Sequence, residues 1–380
     1  MSFNDLGLAP PLIEALATLN YKQPTPIQKA AIPTILSGKD VLGIAQTGSG
    51  KTASFVLPVL MNLQKGAPLK NRQVKVLVLV PTRELAMQVN EIFQQFGKVM
   101  PQRIKSLAVF GGVSINPQMI ALQNVHVLTA TPGRLLELVA SKAVHLSDVK
   151  TLILDEADKM LNRSFQDEIN EILALLPQKR QNLLFSATLS KEVKEIKQML
   201  LEEPTVIEIE TESTNIDLIH QSAYLVAEER KGPFLRYLIK TKELKQVLVF
   251  ASSTKKATNI AIKLNKNGIE ALCIHSQKSQ GARTKALAKF KSGEVQVLVT
   301  TDLLSRGIDI EFLPCVINYE LPRSPKDYIH RIGRTGRAEA SGEAISLVTN
   351  DELHHFKIIQ KKMGKWIQLS YTEEVDLHGY

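Results

Sequence analysis

The stretch Ala45-Gln46-Thr47-Gly48-Ser49-Gly50-Lys51-Thr52 decides how this chain is read. It follows an apolar run, Val41-Leu42-Gly43-Ile44, that reads as a buried strand. It precedes Ala53-Ser54-Phe55-Val56-Leu57, which can open a helix. A glycine-rich turn between strand and helix is a phosphate cradle. Glycines let successive backbone N–H groups converge on an anion, and the helix N-terminus adds its positive dipole end. Lys51 can reach the β- and γ-phosphates of a nucleotide, and the Thr52 hydroxyl can hold Mg²⁺. The strict pattern has Gly where this chain has Ala45, and a Gly/Ser loop of this length can also be a plain turn. The closing Gly50-Lys51-Thr52, set between strand and helix, favours nucleotide binding, with Gln46, Thr47, Gly48 and Ser49 completing the cradle.

Outward from this loop, short apolar runs alternate with helix-period segments across all 380 residues. Strands are predicted at 41–44, 76–80, 107–110, 125–128, 152–154 and 183–185, then at 223–226, 247–250, 271–274, 295–299, 316–319 and 344–348. Most are continuously apolar, as expected of strands covered on both faces. Stretches such as Glu84–Phe96, Phe165–Leu176 and Thr254–Asn267 have helical spacing. The repetition predicts an α/β fold of two domains, each a mostly parallel sheet wrapped by helices. The first is expected over 1–208, a polar linker over 209–216, and the second over 217–367. Residues 368–380 read as a short frayed tail after a closing helix. A faint echo joins the halves: Val125-His126-Val127-Leu128-Thr129-Ala130-Thr131 resembles Val295-Gln296-Val297-Leu298-Val299-Thr300-Thr301.

The formal charge is +9. Residues 1–208 hold 22 Lys/Arg against 18 Asp/Glu and the remainder 25 against 20, so the excess is spread over both halves. That suits sequence-independent contact with phosphate backbones, or simply a soluble basic protein. Cys273 and Cys315, each in an apolar run, read as core thiols in a reducing compartment and exclude the usual zinc sites. Asp5 and Glu14 interrupt the apolar pattern of the N-terminus, and no run approaches membrane-spanning length. A cytoplasmic protein with no membrane contact is expected.

Chemistry gathers where Thr151-Leu152-Ile153-Leu154 runs into Asp155-Glu156-Ala157-Asp158. A buried strand ending in carboxylates presents them at its carboxyl end, where α/β sheets bind ligands. Asp155 is a second Mg²⁺ anchor beside Thr52, and Glu156 is placed to orient or deprotonate water aimed at a γ-phosphate.

Asp-Glu-Ala-Asp after a phosphate loop resembles the DEAD-box family of ATP-dependent RNA helicases, whose domains are RecA-like. The resemblance runs through nearly the whole chain in order. Tyr21-Lys22-Gln23-Pro24-Thr25-Pro26-Ile27-Gln28 resembles the motif that reads adenine, which implies that Gln28 bonds the base edge and Tyr21 stacks on the ring. Pro81-Thr82-Arg83, Gly111-Gly112 and Thr131-Pro132-Gly133-Arg134 resemble RNA-contact motifs. Singly they are ordinary strand-to-helix turns, and their order and number carry the weight. Ser186-Ala187-Thr188 resembles the element that couples the ATP site to the domain interface, with Asp158 and His330 implied as coupling residues.

In the second half, Thr301-Asp302 and Arg306-Gly307-Ile308-Asp309 resemble the motif whose Thr touches RNA and whose Asp309 counterpart meets the ribose. Gln280 and Arg283 fit a further RNA-contact spacing. His330-Arg331-Ile332-Gly333-Arg334-Thr335-Gly336-Arg337 resembles the family's last motif. Its three arginines form a compact anion clamp, and Arg334 and Arg337 are implied as fingers on the γ-phosphate. Ser252-Ser253, Ser305 and Ala338-Glu339-Ala340 depart from the pattern without removing a catalytic group. The catalytic set is thus Lys51, Asp155, Glu156, Arg334 and Arg337.

The resemblance implies an ATP- and Mg²⁺-dependent RNA helicase, monomeric, acting on single-stranded and duplex RNA with little sequence preference. Ribosomal-precursor or RNA-decay assemblies are the implied settings. An ATP-gated RNA clamp would carry identical motifs, whereas a DNA helicase is disfavoured. Met1–Leu8 and the compact length are most similar to bacterial RhlE-like members.

Overall fold

The computed structural model describes residues 1–45, 48–64, 69, 72–160, 165–209, 219–301, 313–335 and 342–380. The chain divides into two compact units, Met1–Thr211 and Glu212–Tyr380. The first holds strands β1 (Val41–Ile44), β2 (Val76–Leu79), β3 (Ser106–Val109), β4 (Val127–Ala130), β5 (Thr151–Leu154), β6 (Gln181–Ser186) and β7 (Thr205–Glu208). Its described helices are α1 (Pro10–Thr18), α2 (Pro26–Leu36), α3 (Lys51–Leu63), α4 (Arg83–Gly97), α5 (Ile115–Ala121), α6 (Pro132–Ala140), α7 (Ala157–Met160), α8 (Gln166–Ala174) and α9 (Lys191–Leu200). The sheet order is β3-β4-β2-β5-β6-β1-β7, with every neighbouring pair parallel.

The second unit holds β8 (Ile219–Leu225), β9 (Val247–Phe250), β10 (Ala271–Ile274), β11 (Val297–Thr300), β12 (Cys315–Asn318), β13 (Gly342–Val348) and β14 (Leu369–Tyr371). Its described helices are α10 (Lys231–Thr241), α11 (Thr254–Lys266), α12 (Gln280–Lys291), α13 (Pro325–Ile332) and α14 (Leu353–Met363). The order β10-β11-β9-β12-β13-β8-β14 is the first sheet's order strand for strand. The echoing strands β4 and β11 stand at the same place in the two sheets.

The continuous apolar runs are explained by two-sided burial. Val76 and Val78 of β2 enter one core with Phe55, Phe93 and Phe185, while Leu77 and Leu79 enter the other with Leu128, Leu152 and Met160. Gly43 interrupts its run because a Cβ there would lie 2.7 Å from the Phe185 ring, which is fully buried.

Two strands escaped the sequence reading, β7 and β14. The segment 368–380 is not frayed. β14 pairs in parallel with β8, and Thr372 Oγ1 donates to Leu225 O at 2.7 Å. Arg230 donates to Glu373 O and Val375 O, and the Tyr380 ring meets Tyr237 edge-on. Three residues of mixed polarity carry too little periodicity to announce a strand, but β8 would otherwise be an open sheet edge. β4 and β11 also start two residues later than expected, because Val125 and Val295 are buried before the ladder begins. No helix among the described residues is long and apolar enough to cross a membrane.

Candidate active site

Strand order builds the first-unit site. β6 lies between β1 and β5, so the loops leaving the carboxyl ends of these strands stand side by side. They carry Gly48–Thr52, Ser186–Thr188 and Asp155–Asp158. Ala45 N donates to Ser186 O at 3.0 Å, which fastens the first row to the second. Ala45 is 1% exposed, so the departure from the strict loop pattern lies inside the protein.

Gly48 and Gly50 have φ of 78° and 88°, the left-handed region that glycine enters without penalty. Gly50 is required twice over, because a Cβ there would lie 2.5 Å from Gln28 Nε2. Lys51 heads α3 and is buried, its Nζ donating to Ala45 O at 2.8 Å, while Thr52 is half-buried beside it. Gln46 and Thr47 lie outside the described residues.

Gln28 is 1% exposed, and both ends of its amide are engaged. Oε1 accepts from Thr25 N at 3.0 Å and Nε2 donates to Gly50 O at 3.2 Å. One N–H and one lone pair remain for a base. Tyr21 is half-buried, with its ring edge-on to Phe96 at 6.0 Å.

Asp155 is 3% exposed, and burial pushes its carboxyl up to about 6 against the opposing charge of Lys51. It accepts from Glu156 N at 2.9 Å. Glu156 has a φ of 54°, a strained backbone for a residue with a side chain, and Lys159 Nζ sits 2.7 Å from its Oε2. Neither feature was visible in the sequence. Asp158 meets the β6 loop: Ser186 Oγ donates to Oδ1 at 3.0 Å and Thr188 Oγ1 to Oδ2 at 3.4 Å. The expected coupling residues Ser186, Thr188 and Asp158 therefore form one hydrogen-bonded group. Among the described residues no three His, Cys, Asp or Glu gather as a metal cage. One carboxylate and one hydroxyl fit Mg²⁺, which keeps most of its waters and binds phosphate oxygens.

The turns after β2, β3 and β4 form a second group. Thr82 caps α4 by accepting from Leu85 N at 3.3 Å, next to half-buried Pro81. A Cβ on Gly112 (φ 76°) would lie 2.2 Å from Arg83 Nη1, so Arg83 crosses over the Gly111-Gly112 turn. Thr131 and Pro132 open α6. Two expectations need correction here. Gly133 N faces Glu168, which occupies the anion position at that helix start, and burial raises the Glu168 carboxyl. Arg134 is buried, bonded to Glu137 Oε2 at 2.7 Å and Val113 O at 2.9 Å, so it positions the turn rather than presenting a free guanidinium.

In the second unit, Gln280 and Arg283 are buried and bonded to each other at the start of α12. Thr301 is half-buried at the end of β11. His330 and Arg334 lie at and just past the end of α13, half-buried and buried respectively. Arg331 does not belong to an anion clamp. It is 2% exposed, donates to Asn318 Oδ1 at 3.0 Å and Glu320 O at 2.7 Å, and lies over the Phe250 ring. Asp309, Ser305, Arg337 and 338–340 lie outside the described residues. Glu320 was missed: it accepts from Ser252 N at 2.6 Å and pairs with Lys256, holding the departed Ser252-Ser253 turn.

Comparisons with known proteins agree with this geometry. The DEAD/DEAH box helicase family matches residues 25–196, and the helicase conserved C-terminal domain matches 230–339. The chain is 41% identical to an ATP-dependent rRNA helicase, rrp3, of Botryotinia fuckeliana over 96% of this chain and 74% of that one. It is 38% identical to the DEAD-box ATP-dependent RNA helicase CshA of Geobacillus kaustophilus over 95% and 77%. Among solved structures, S. cerevisiae Dbp5 bound to RNA and ADP BeF3 superposes with a TM-score of 0.84 at 31% identity, covering 98% of this chain and 96% of that chain. The chain belongs to the DEAD-box family of ATP-dependent RNA helicases.

Proposed function

We propose that this helicase separates short RNA duplexes, or strips proteins from RNA, by a cycle in which ATP and RNA together favour a closed arrangement of the two units. The observation that supports it is the row formed by the phosphate loop, Ser186–Thr188 and Asp155–Asp158 at adjacent strand ends. Lys51 and the loop N–H groups would bind the β- and γ-phosphates, with Gln28 and Tyr21 choosing adenine. Thr52 and Asp155 would hold Mg²⁺, which when bound neutralises phosphate charge. Glu156 takes the proton of the attacking water. By the motif resemblance, Arg334 and Arg337 would serve the γ-phosphate and Asp309 the ribose.

Pro81–Arg83, Gly111-Gly112, Thr131, Pro132, Gln280, Arg283 and Thr301 would line the RNA path, touching phosphate and 2′-OH with little sequence preference. A strand bent along that path leaves its duplex. We place the protein in the cytoplasm as a monomer. Relatives named as rRNA helicases favour ribosomal-precursor RNA as substrate. The RhlE-like bacterial kinship rests on Met1–Leu8 and the compact length.

A strand-displacement assay with a short fluorescent RNA duplex tests the reading. Displacement that needs hydrolysable ATP, and ATPase stimulated by RNA more than by DNA, are expected. ATP-dependent RNA binding without displacement would replace the helicase reading with a clamp.

A further inference from the structure

The stretch 353–371 carries Lys357, Lys361, Lys362 and Lys365 and no Asp or Glu. On α14 the inward face is Phe356, Ile359 and Gln360, while Lys357, Lys361 and Lys362 are exposed. Gly364 (φ 73°) ends the helix, and Gln360 Oε1 accepts from Ile367 N at 2.6 Å. Ile367 and Leu369 then pack beneath, beside Tyr328 and Ile332 of α13. This extended, anchored backbone holds Trp366 outward, 70% exposed, and Tyr371 beyond it is 73% exposed. A tryptophan fixed in solvent among lysines is unusual for a structural residue.

Glu352, just before α14, is engaged with Lys231 at 3.2 Å. Glu373, Glu374 and Asp376 follow β14, but there the chain passes to the opposite side of the sheet, where Val375 and Leu377 join the core of α10 and α11. Cations with an aromatic platform match a single-stranded polynucleotide, whose phosphates pair with lysine and whose bases stack. β14 stands five strand steps from β11, about 24 Å away, so this face is distinct from Thr301.

We propose that Trp366 and the α14 lysines form a second RNA-binding surface, which takes single-stranded RNA flanking the segment held by the strand-end loops. The proposal rests on the helicase reading, which supplies the RNA. Trp366 is the only tryptophan in the chain, so its fluorescence reports on this surface directly.

The full chain is titrated with single-stranded RNAs of about 8 and about 25 nucleotides, with RNA-stimulated ATPase measured in parallel. The longer RNA should quench Trp366, and Trp366→Ala should weaken its binding about five-fold or more. Binding of the shorter RNA should change little. Lys361→Ala with Lys362→Ala should lower the salt slope by about 1.4. Stimulated ATPase with no quench and an unchanged affinity in Trp366→Ala overturns the surface, leaving a protein partner as its occupant. Quenching without any stimulation supports the surface and counts instead against the helicase cycle.

Discussion

Gln28 Nε2 donates to the Gly50 carbonyl at 3.2 Å, so the residue placed to read the base is bonded to the loop placed to hold phosphate. The contact works only because position 50 has no side chain.

Gly50→Ala should therefore disturb both at once. An alanine in the left-handed region costs about 1–2 kcal/mol, and its methyl group would displace the Gln28 amide. ATP binding should weaken about ten-fold, measured by calorimetry. Unchanged affinity would show that the Gln28–Gly50 contact is dispensable.

Asp155 makes stability and turnover depend on pH in opposite senses. Its folded value of about 6 lies above the ordinary 3.8, so the folded chain holds the extra proton between those values. Its contribution is present below about pH 4 and is lost as pH rises through 6. Asp155→Asn should remove that slope and make the ligand-free protein about 3 kcal/mol more stable at pH 7. The same variant should lose ATPase, and wild-type kcat/KM, which reports the ligand-free enzyme, should fall below pH 6 as the carboxyl protonates. Denaturant melts across pH check the first claim and a pH–rate profile the second.

Glu156→Gln keeps the backbone, the size and most of the surroundings. It should bind ATP and RNA normally yet hydrolyse about 10²–10⁴-fold more slowly. Near-normal turnover would rule out Glu156 as the base.

Two arginines six positions apart should fail differently. Arg331→Ala leaves Asn318 Oδ1 and Glu320 O buried without their donor, and should cost the second unit roughly 3 kcal/mol. Arg337→Ala should leave melting unchanged and slow turnover by about 10³–10⁵-fold. A thermal melt beside an ATPase assay separates them.

Ser186→Ala removes a donor to Asp158. ATPase should survive while strand displacement falls about ten-fold. A parallel loss of both would assign Ser186 to catalysis instead.

The order of strands and loops was legible because two-sided burial writes itself as apolar runs, and because Gly50-Lys51-Thr52 and Asp155-Glu156 sit at run ends. What each polar residue does there was less legible. Arg134 and Arg331 look like anion-binding arginines in sequence, yet buried partners such as Val113 O and Asn318 Oδ1 engage them. Those partners come from other strands and turns, so spacing alone cannot reveal them. The positive φ of Glu156 is likewise set by the tertiary frame rather than by local propensity.

The three residues of β14 bear on how the protein tolerates shortening. A chain cut before Leu369 would lose a ladder of only three positions, uncovering β8 at Ala223, Tyr224 and Leu225. An uncovered parallel flank invites another chain to dock along it. Trimming the last dozen residues should thus promote self-association, read by sedimentation, although every catalytic group stays in place.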